Sequence, residues 1–270
     1  MSDSVRSVER ALDILLCFRL EKPELSLTQI AEQVGMHKST IHRLLATLET
    51  KRFVSRDKAT GMYQLGFRFL ELASIMLQDL DINRWAQPYL QHLAILSGET
   101  VDLAMLDNDH VVYLQVVESP QRVKIAAAVG EQLPVYCTAT GKAFLAYLPE
   151  YQLKEILAKG KVKYTEHTIV SDTDLYRDLL KIRERGFAIS KEEYEKDINA
   201  VAAPILDENG CPLAVIAIVG PSFRLSDDCM MVLGQAILET TSTIAREIGL
   251  AALPVILPKT TSLCIDESQE

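Results

Sequence analysis

The chain has 270 residues, of which 48% are hydrophobic and 24% charged, an ordinary globular composition long enough for two domains and unlike that of a disordered polymer. Its longest strongly apolar run, Leu213 to Val219, falls far short of the ~20 residues a membrane-spanning helix needs, and Asp3, Arg6, Glu9 and Arg10 interrupt any signal-peptide core. The net charge of -9 is unevenly placed, with a balance of +3 over residues 1–70 and -12 over the remainder, so the acidity argues against nucleic acid as a partner of the second part alone.

Val5 to Phe18 reads as a helix with Ser4 as N-cap and Val8, Leu12, Leu15 and Leu16 on one face. Glu21 to Leu25, with Pro23, interrupts the chain. In Ser26-Leu27-Thr28-Gln29 a Ser is followed three residues later by Gln, a capping-box pattern. The helix it opens places Leu27, Ile30, Ala31 and Val34 on one face, and Gly35 permits a sharp turn. A second helix from near His37 repeats those offsets with Ile41, Leu44, Leu45 and Leu48. Two short helices with matched apolar faces and a glycine between them predict a helix-turn-helix. Lys38, Ser39, Thr40, His42 and Arg43 occupy the outer face of the second helix, where a recognition helix meets base edges and phosphates. Phe53–Arg56 and Met62–Leu65 then flank Asp57-Lys58-Ala59-Thr60-Gly61, a hairpin whose tip offers Arg56 and Lys58 to the DNA backbone or minor groove. Thr28 and His37 complete the expected DNA-binding set. A plain helical hairpin with solvated charges is the competing reading of residues 26–49; the wing and the local positive balance favour DNA.

A connecting helix runs from about Phe67 to Leu80, with a domain boundary at Asp79-Leu80-Asp81. The expected layout is a winged helix-turn-helix over 1–66, a linker helix over 67–81, an effector domain over 82–250 and an extended or disordered tail over 251–270. In the second part, a helix near Ile82–Leu96 ends at Gly98. Strands are expected at Thr100–Leu106, His110–Val117, Val123–Val129, Phe187–Ser190, Ala200–Leu206 and Leu213–Val219. Helices are expected at Thr138–Tyr147, Glu150–Ala158, Asp172–Arg185 and Ser226–Ile248. Asn209-Gly210 suits a tight hairpin turn. The class is α+β, with a mixed sheet flanked by helices.

At this point the sequence resembles the IclR family of bacterial transcriptional regulators over nearly its whole length. The resemblance is carried by Ser7–Leu15, Leu27–Val34, Lys38–Leu45 and Tyr63-Gln64-Leu65-Gly66, then by Leu133–Ala143, Val201-Ala202-Ala203-Pro204-Ile205 and Gly220-Pro221. It implies a GAF-like effector domain, dimers joined through the DNA-binding domains, pairing into tetramers through the effector domains, and residence in the cytosol on double-stranded operator DNA. It also implies a pocket walled by Leu103, Met105, the Thr138-Ala139-Thr140-Gly141 turn, the segment Glu192 to Ala200 with Glu193 and Ala200 in it, and the inward residues of the Leu213–Val219 strand, Ala217 and Val219 among them. The start of the helix at Thr138 has free N–H groups that favour an anion, which points to a small carboxylate effector. Family members that bind small hydroxylated or keto acids carry serines where this chain has Ala217 and Val219, so a more apolar, aromatic acid is expected here.

Enzymatic readings are weaker. The Gly141-Lys142 pair lacks the first glycine and the Ser/Thr of a phosphate loop, those positions being Tyr136 and Ala143. Five scattered cysteines without a CxxC spacing suit a reducing compartment and argue against a zinc site. Cys137 with His110 or His167, and Glu192-Glu193 with Glu195, are candidate catalytic groups that nothing in the sequence brings together. His37 and His42 make an unlikely metal pair, so no metal or cofactor is expected. His92 is expected on a helix surface and Trp85 in a core or interface. The chain is expected not to be an enzyme. An enzyme built on a GAF-like domain and a DNA-binding protein without an effector stay open as alternatives.

Overall fold

The computed structural model describes residues 5–19, 22–78 and 81–249, and the chain divides into two compact units, Met1–Leu80 and Asp81–Glu270. Ser4, the Leu80 end of the connecting helix and the 251–270 tail lie outside the described residues.

In the first unit, α1 (Arg6–Leu15), β1 (Glu24–Leu25), α2 (Leu27–Val34), α3 (Lys38–Thr50), β2 (Val54–Arg56), β3 (Tyr63–Leu65) and α4 (Arg68–Gln78) follow in order. Helix α1 starts one residue later than a Ser4 cap requires, so the N-cap is Val5, which makes no side-chain cap bond. Helix α2 carries the capping box: the Gln29 N–H donates to Ser26 Oγ (3.3 Å) and the Ser26 N–H to Gln29 Oε1 (2.8 Å). It ends at Gly35, φ +67°, a left-handed residue that turns the chain into α3. The expected wing pairs β2 with β3, Val54 opposite Leu65, and a third strand not expected from sequence, β1, pairs Leu25 with Tyr63. Ile14, Leu25, Ile30, Ile41, Leu45, Val54 and Tyr63 close one core beneath helices and wing. Each large aliphatic side chain so buried contributes ~1.5–3 kcal/mol, and this packing holds the outer face of α3 in a fixed orientation.

The second unit contains α5 (Asp81–Ser97), β4 (Thr100–Asp107), β5 (His110–Val117), β6 (Gln132–Pro134), a 3-10 turn (Val135–Cys137), α6 (Ala139–Leu145), α7 (Glu150–Leu157), α8 (Asp172–Arg185), β7 (Ala188–Lys191), β8 (Ile198–Leu206), β9 (Pro212–Pro221) and α9 (Asp227–Glu247). The α+β class is as expected. The sheet has the order β6-β5-β4-β9-β8-β7 and every pairing in it is antiparallel, not mixed. The reason lies in the connections: β4–β5 and β8–β9 are hairpins turning at Asn108 (φ +57°) and Gly210 (φ +78°), and short hairpins force antiparallel neighbours.

Residues 123–129 form no strand. The place beside β5 is taken by β6, with Val111 opposite Leu133, and two carbonyls of the segment accept from side chains instead, Ile125 from Thr100 Oγ1 and Val123 from Arg224. Both sheet faces are covered. Ala104, Tyr113, Ala202, Val215 and Ala217 join the α6 and α8 side chains in one core. The alternate residues, Val101, Leu103, Val201 and Ile218, point the other way, where α5 and α9 contact β4, β8 and β9.

Candidate DNA interface and ligand cavity

Burial of Ile41, Leu45 and Leu48 fixes which side of α3 faces outward. That side presents Lys38, Ser39, His42 and Arg43, all exposed, with Thr40 half-buried at its edge. His37 is the exposed N-cap and makes no side-chain cap bond. Thr28 is half-buried in the first turn of α2. Lys38, Arg43 and Lys58 form no ion pair among the described residues, so their charge is directed at solvent. On the wing, Arg56 folds back: its Nε donates to the Gly61 carbonyl (3.3 Å) and its guanidinium lies 5.3 Å from the Tyr63 ring centroid. Asp57 accepts from the Ala59 and Thr60 N–H groups, which pull its carboxyl below the usual range and hold the tip that displays Lys58. The arrangement is a fixed helix face carrying cations, with a cationic hairpin in the same unit.

In the second unit a cavity of about 90 Å³ opens beside β4, β9 and the start of α6, room for several water molecules. Of the residues expected there, Thr138, Ala139, Thr140, Ala200, Ala217 and Val219 line it. Leu103, Met105, Gly141 and Glu193 do not. Leu103 and Met105 stand on the opposite face of β4, because side chains alternate along a strand and Asp102 takes the cavity side. Gly141 packs against the 3-10 turn so closely that a Cβ would meet the Val135 carbonyl oxygen at 2.2 Å. Glu193 turns away to Lys142, whose Nζ donates to Glu193 Oε1 (2.5 Å), Asp178 Oδ2 (2.8 Å) and the Ile189 carbonyl (2.8 Å). Thr138 caps α6, accepting from the Gly141 N–H (3.1 Å), so its hydroxyl already has a structural role.

Tyr194, Glu195 and Ile198 of the expected Glu192–Ala200 segment also line the cavity, whereas sequence reasoning missed Asp102, Tyr113, Glu131 and Ser190. Asp102 is 1% exposed. Neither of its carboxylate oxygens has a hydrogen-bond partner among the described residues. Burial, and then the charge of Glu131, hold its carboxyl well above the usual carboxylate range. The signal was present as the one acidic residue within the otherwise apolar run Val101–Leu106.

The structure does not bring Cys137 together with His110 or His167. Burial, and next the nearby Glu193 charge, push the Cys137 thiol up to about 12, which leaves almost no thiolate at neutral pH. His110 sits at the β4–β5 turn and His167 is exposed, and neither lines the cavity. The Lys142 ammonium is held by carboxylates and is not presented to a phosphate. Glu192 and Glu193 are engaged separately, Glu192 accepting from the Asp197 N–H. His92 is on a helix surface and Trp85 is 45% exposed. Among the described residues no cluster of three or more His, Cys, Asp or Glu could hold a metal, and no helix is long and apolar enough to cross a membrane.

A winged helix-turn-helix with an outward cationic reading face, on a chain whose second unit carries a lined cavity, defines a DNA-binding transcriptional regulator. Comparison with known proteins makes this specific. Residues 7–58 match the IclR helix-turn-helix domain and residues 74–246 the bacterial transcriptional regulator IclR C-terminal domain. The chain belongs to the IclR family of bacterial transcriptional regulators. It is 34% identical over 250 residues to the transcriptional repressor IclR of Escherichia coli, covering 92% of this chain and 90% of that one. It is equally 34% identical over 254 residues to the acetate operon repressor of Salmonella typhimurium, covering 93% and 91%. The crystal structure of an IclR transcriptional regulator from Alicyclobacillus acidocaldarius superposes with a TM-score of 0.78 at 32% identity, over 91% of this chain and all of that one.

Proposed function

We propose that this regulator binds double-stranded operator DNA of catabolic genes as a homodimer, pairing into tetramers, and that a small organic acid of apolar character in the second unit's cavity changes that binding. The observation that carries the DNA reading is the row Lys38, Ser39, His42 and Arg43, exposed on a helix whose opposite face is fully packed. Thr28, His37, Thr40, Arg56 and Lys58 flank it as backbone or groove contacts. Dimerisation is supported by the short reach of one recognition helix, which makes paired half-sites the usual arrangement. The exposed apolar residues Val8, Leu12 and Leu16 of the α1 region supply a surface for it. Control of catabolic genes is supported by the relative named as an acetate operon repressor.

The effector reading rests on the cavity. Ala200, Ala217 and Val219 offer no side-chain hydrogen bond there, and Ile125, Leu133 and Ile198 add apolar wall. These surfaces suit a hydrocarbon or aromatic body better than glyoxylate or pyruvate. Cys137 and the scattered histidines give an enzymatic reading nothing to build on. The test is a mobility shift with the chain's own upstream DNA at low salt, repeated with benzoate-type acids and with glyoxylate and pyruvate. A shift that an aromatic acid alters is expected. Absence of any shift at low salt sinks the operator reading, and a response to glyoxylate or pyruvate alone sinks the aromatic one.

A further inference from the structure

We infer that the cavity recognises its ligand through Asp102, and that the organic acid proposed above also presents to this carboxylate a protonated nitrogen, so that the effector is a zwitterion with an apolar body. This rests on the reading of the cavity as the effector site and adds the chemistry of the ligand's other end. A fully buried carboxyl with both oxygens unpartnered is expensive for a fold to keep, since an unsatisfied buried polar group costs ~1–3 kcal/mol and a charged one more. Asparagine, serine or an apolar residue at this place on β4 would fold with less cost. Asp102 borders the cavity, so an occupant can reach the missing partner.

The surroundings decide which occupant. The ionisable groups facing the cavity are Asp102 from β4, Tyr113 from β5, Glu131 from the turn before β6, Cys137 from the 3-10 turn, and Tyr194 and Glu195 from the segment after β7. The start of α6 and strands β8 and β9 face it with neutral side chains. Among the described residues no Lys, Arg or His lines the cavity, because the nearby Lys142 is committed to Asp178 and Glu193. A simple anion would enter a space bounded by three carboxyl groups with no cation to meet it. An ammonium group meets an opposite charge in a low-dielectric setting, where such attraction is strongest. Burial pushes the Asp102 carboxyl towards its neutral form, and a cation at its side favours the ionised form. The ligand's own carboxylate, elsewhere on the same molecule, is compatible with this and makes it a zwitterion.

The test uses the full chain and three probes built on one ring: p-toluate, p-methylbenzylamine and p-aminomethylbenzoate, titrated calorimetrically near neutral pH. The two amines are expected to bind the wild type at least about tenfold tighter than p-toluate, and Asp102→Asn is expected to abolish the difference. Asp102→Ser provides a second variant, and circular dichroism of both checks that they are folded. The inference is overturned if p-toluate binds as tightly as the amines, if neither amine binds at millimolar concentration, or if the preference survives both substitutions. Failure of the cavity assignment reads differently: Ala200→Phe, which fills the space, would then leave the binding of a probe unchanged.

Discussion

Lys142→Met removes the cation that the buried Glu193 and the half-buried Asp178 share. The Lys142 side chain is 1% exposed and its Nζ bonds Asp178, Glu193 and the Ile189 carbonyl. Methionine keeps most of the stem's packing, so the loss is mainly electrostatic. Removing one partner of such a buried pair costs about 3–5 kcal/mol, because the remaining charge has no compensation. Glu193 feels this most, since burial already pushes its carboxyl up and Lys142 is the first opposing influence. For a unit of this size each kcal/mol is worth about 2–4 °C, so the melting temperature should fall by about 6–20 °C. Glu193→Gln added to Lys142→Met should recover part of the loss, giving a double variant less unstable than the sum of the singles. The damage should extend to ligand binding, because Glu193 anchors the segment that brings Tyr194 and Glu195 to the cavity. Thermal unfolding followed by circular dichroism measures all three variants. A loss below about 1 kcal/mol, or strict additivity of the two substitutions, refutes the claim that this pair holds the cavity wall.

Gly35→Ala places a Cβ on a residue at φ +67° with no neighbour within contact distance, so its cost is backbone strain of roughly 1–2 kcal/mol, read as a lower melting temperature; an unchanged melt contradicts it. Asp102→Asn tests the pH linkage. With its folded-state pKa held above the unfolded value, the native chain binds more protons than the unfolded one between those values, so stability falls as pH rises. The melting temperature of the variant relative to wild type should therefore climb from about pH 4 upward, and a flat or falling difference rejects the assignment. Cys137, with its thiol pushed up to about 12 by burial and by Glu193, should resist iodoacetamide in the native chain at neutral pH. Peptide mass spectrometry showing rapid carbamidomethylation at Cys137 would count against that environment.

Local signals were legible in the sequence wherever they were self-contained. The Ser26–Gln29 capping box, the Gly35 turn, the Ile41, Leu45 and Leu48 stripe and the Asp172–Arg185 helix closed by Gly186 depend on neighbours a few residues away, and each appears where its pattern placed it. Partners distant in sequence were not legible. Strand β1 is two residues long and exists because β3, some forty residues on, offers an edge. Residues 123–129 have strand composition but lose their ladder place to β6. On β4 the apolar residues Leu103 and Met105 were expected to wall the pocket. A sheet covered on both sides gives no apolar cue to that face, and it was the single acid, Asp102, that marked the cavity side. The antiparallel order likewise followed from which strands the two hairpins joined.

The most direct test of the regulator account is fluorescence anisotropy of a labelled double-stranded fragment from upstream of the gene, titrated with the full chain across a salt series. Binding should weaken linearly on logarithmic axes, and Lys38→Ala with Arg43→Ala should reduce the slope by up to about 1.8, at ~0.9 for each phosphate left without its cation. The melting temperature should stay unchanged, because both side chains are exposed and form no ion pair among the described residues. Binding that ignores salt, or that the double substitution leaves intact, would place the DNA contact somewhere other than the outer face of α3.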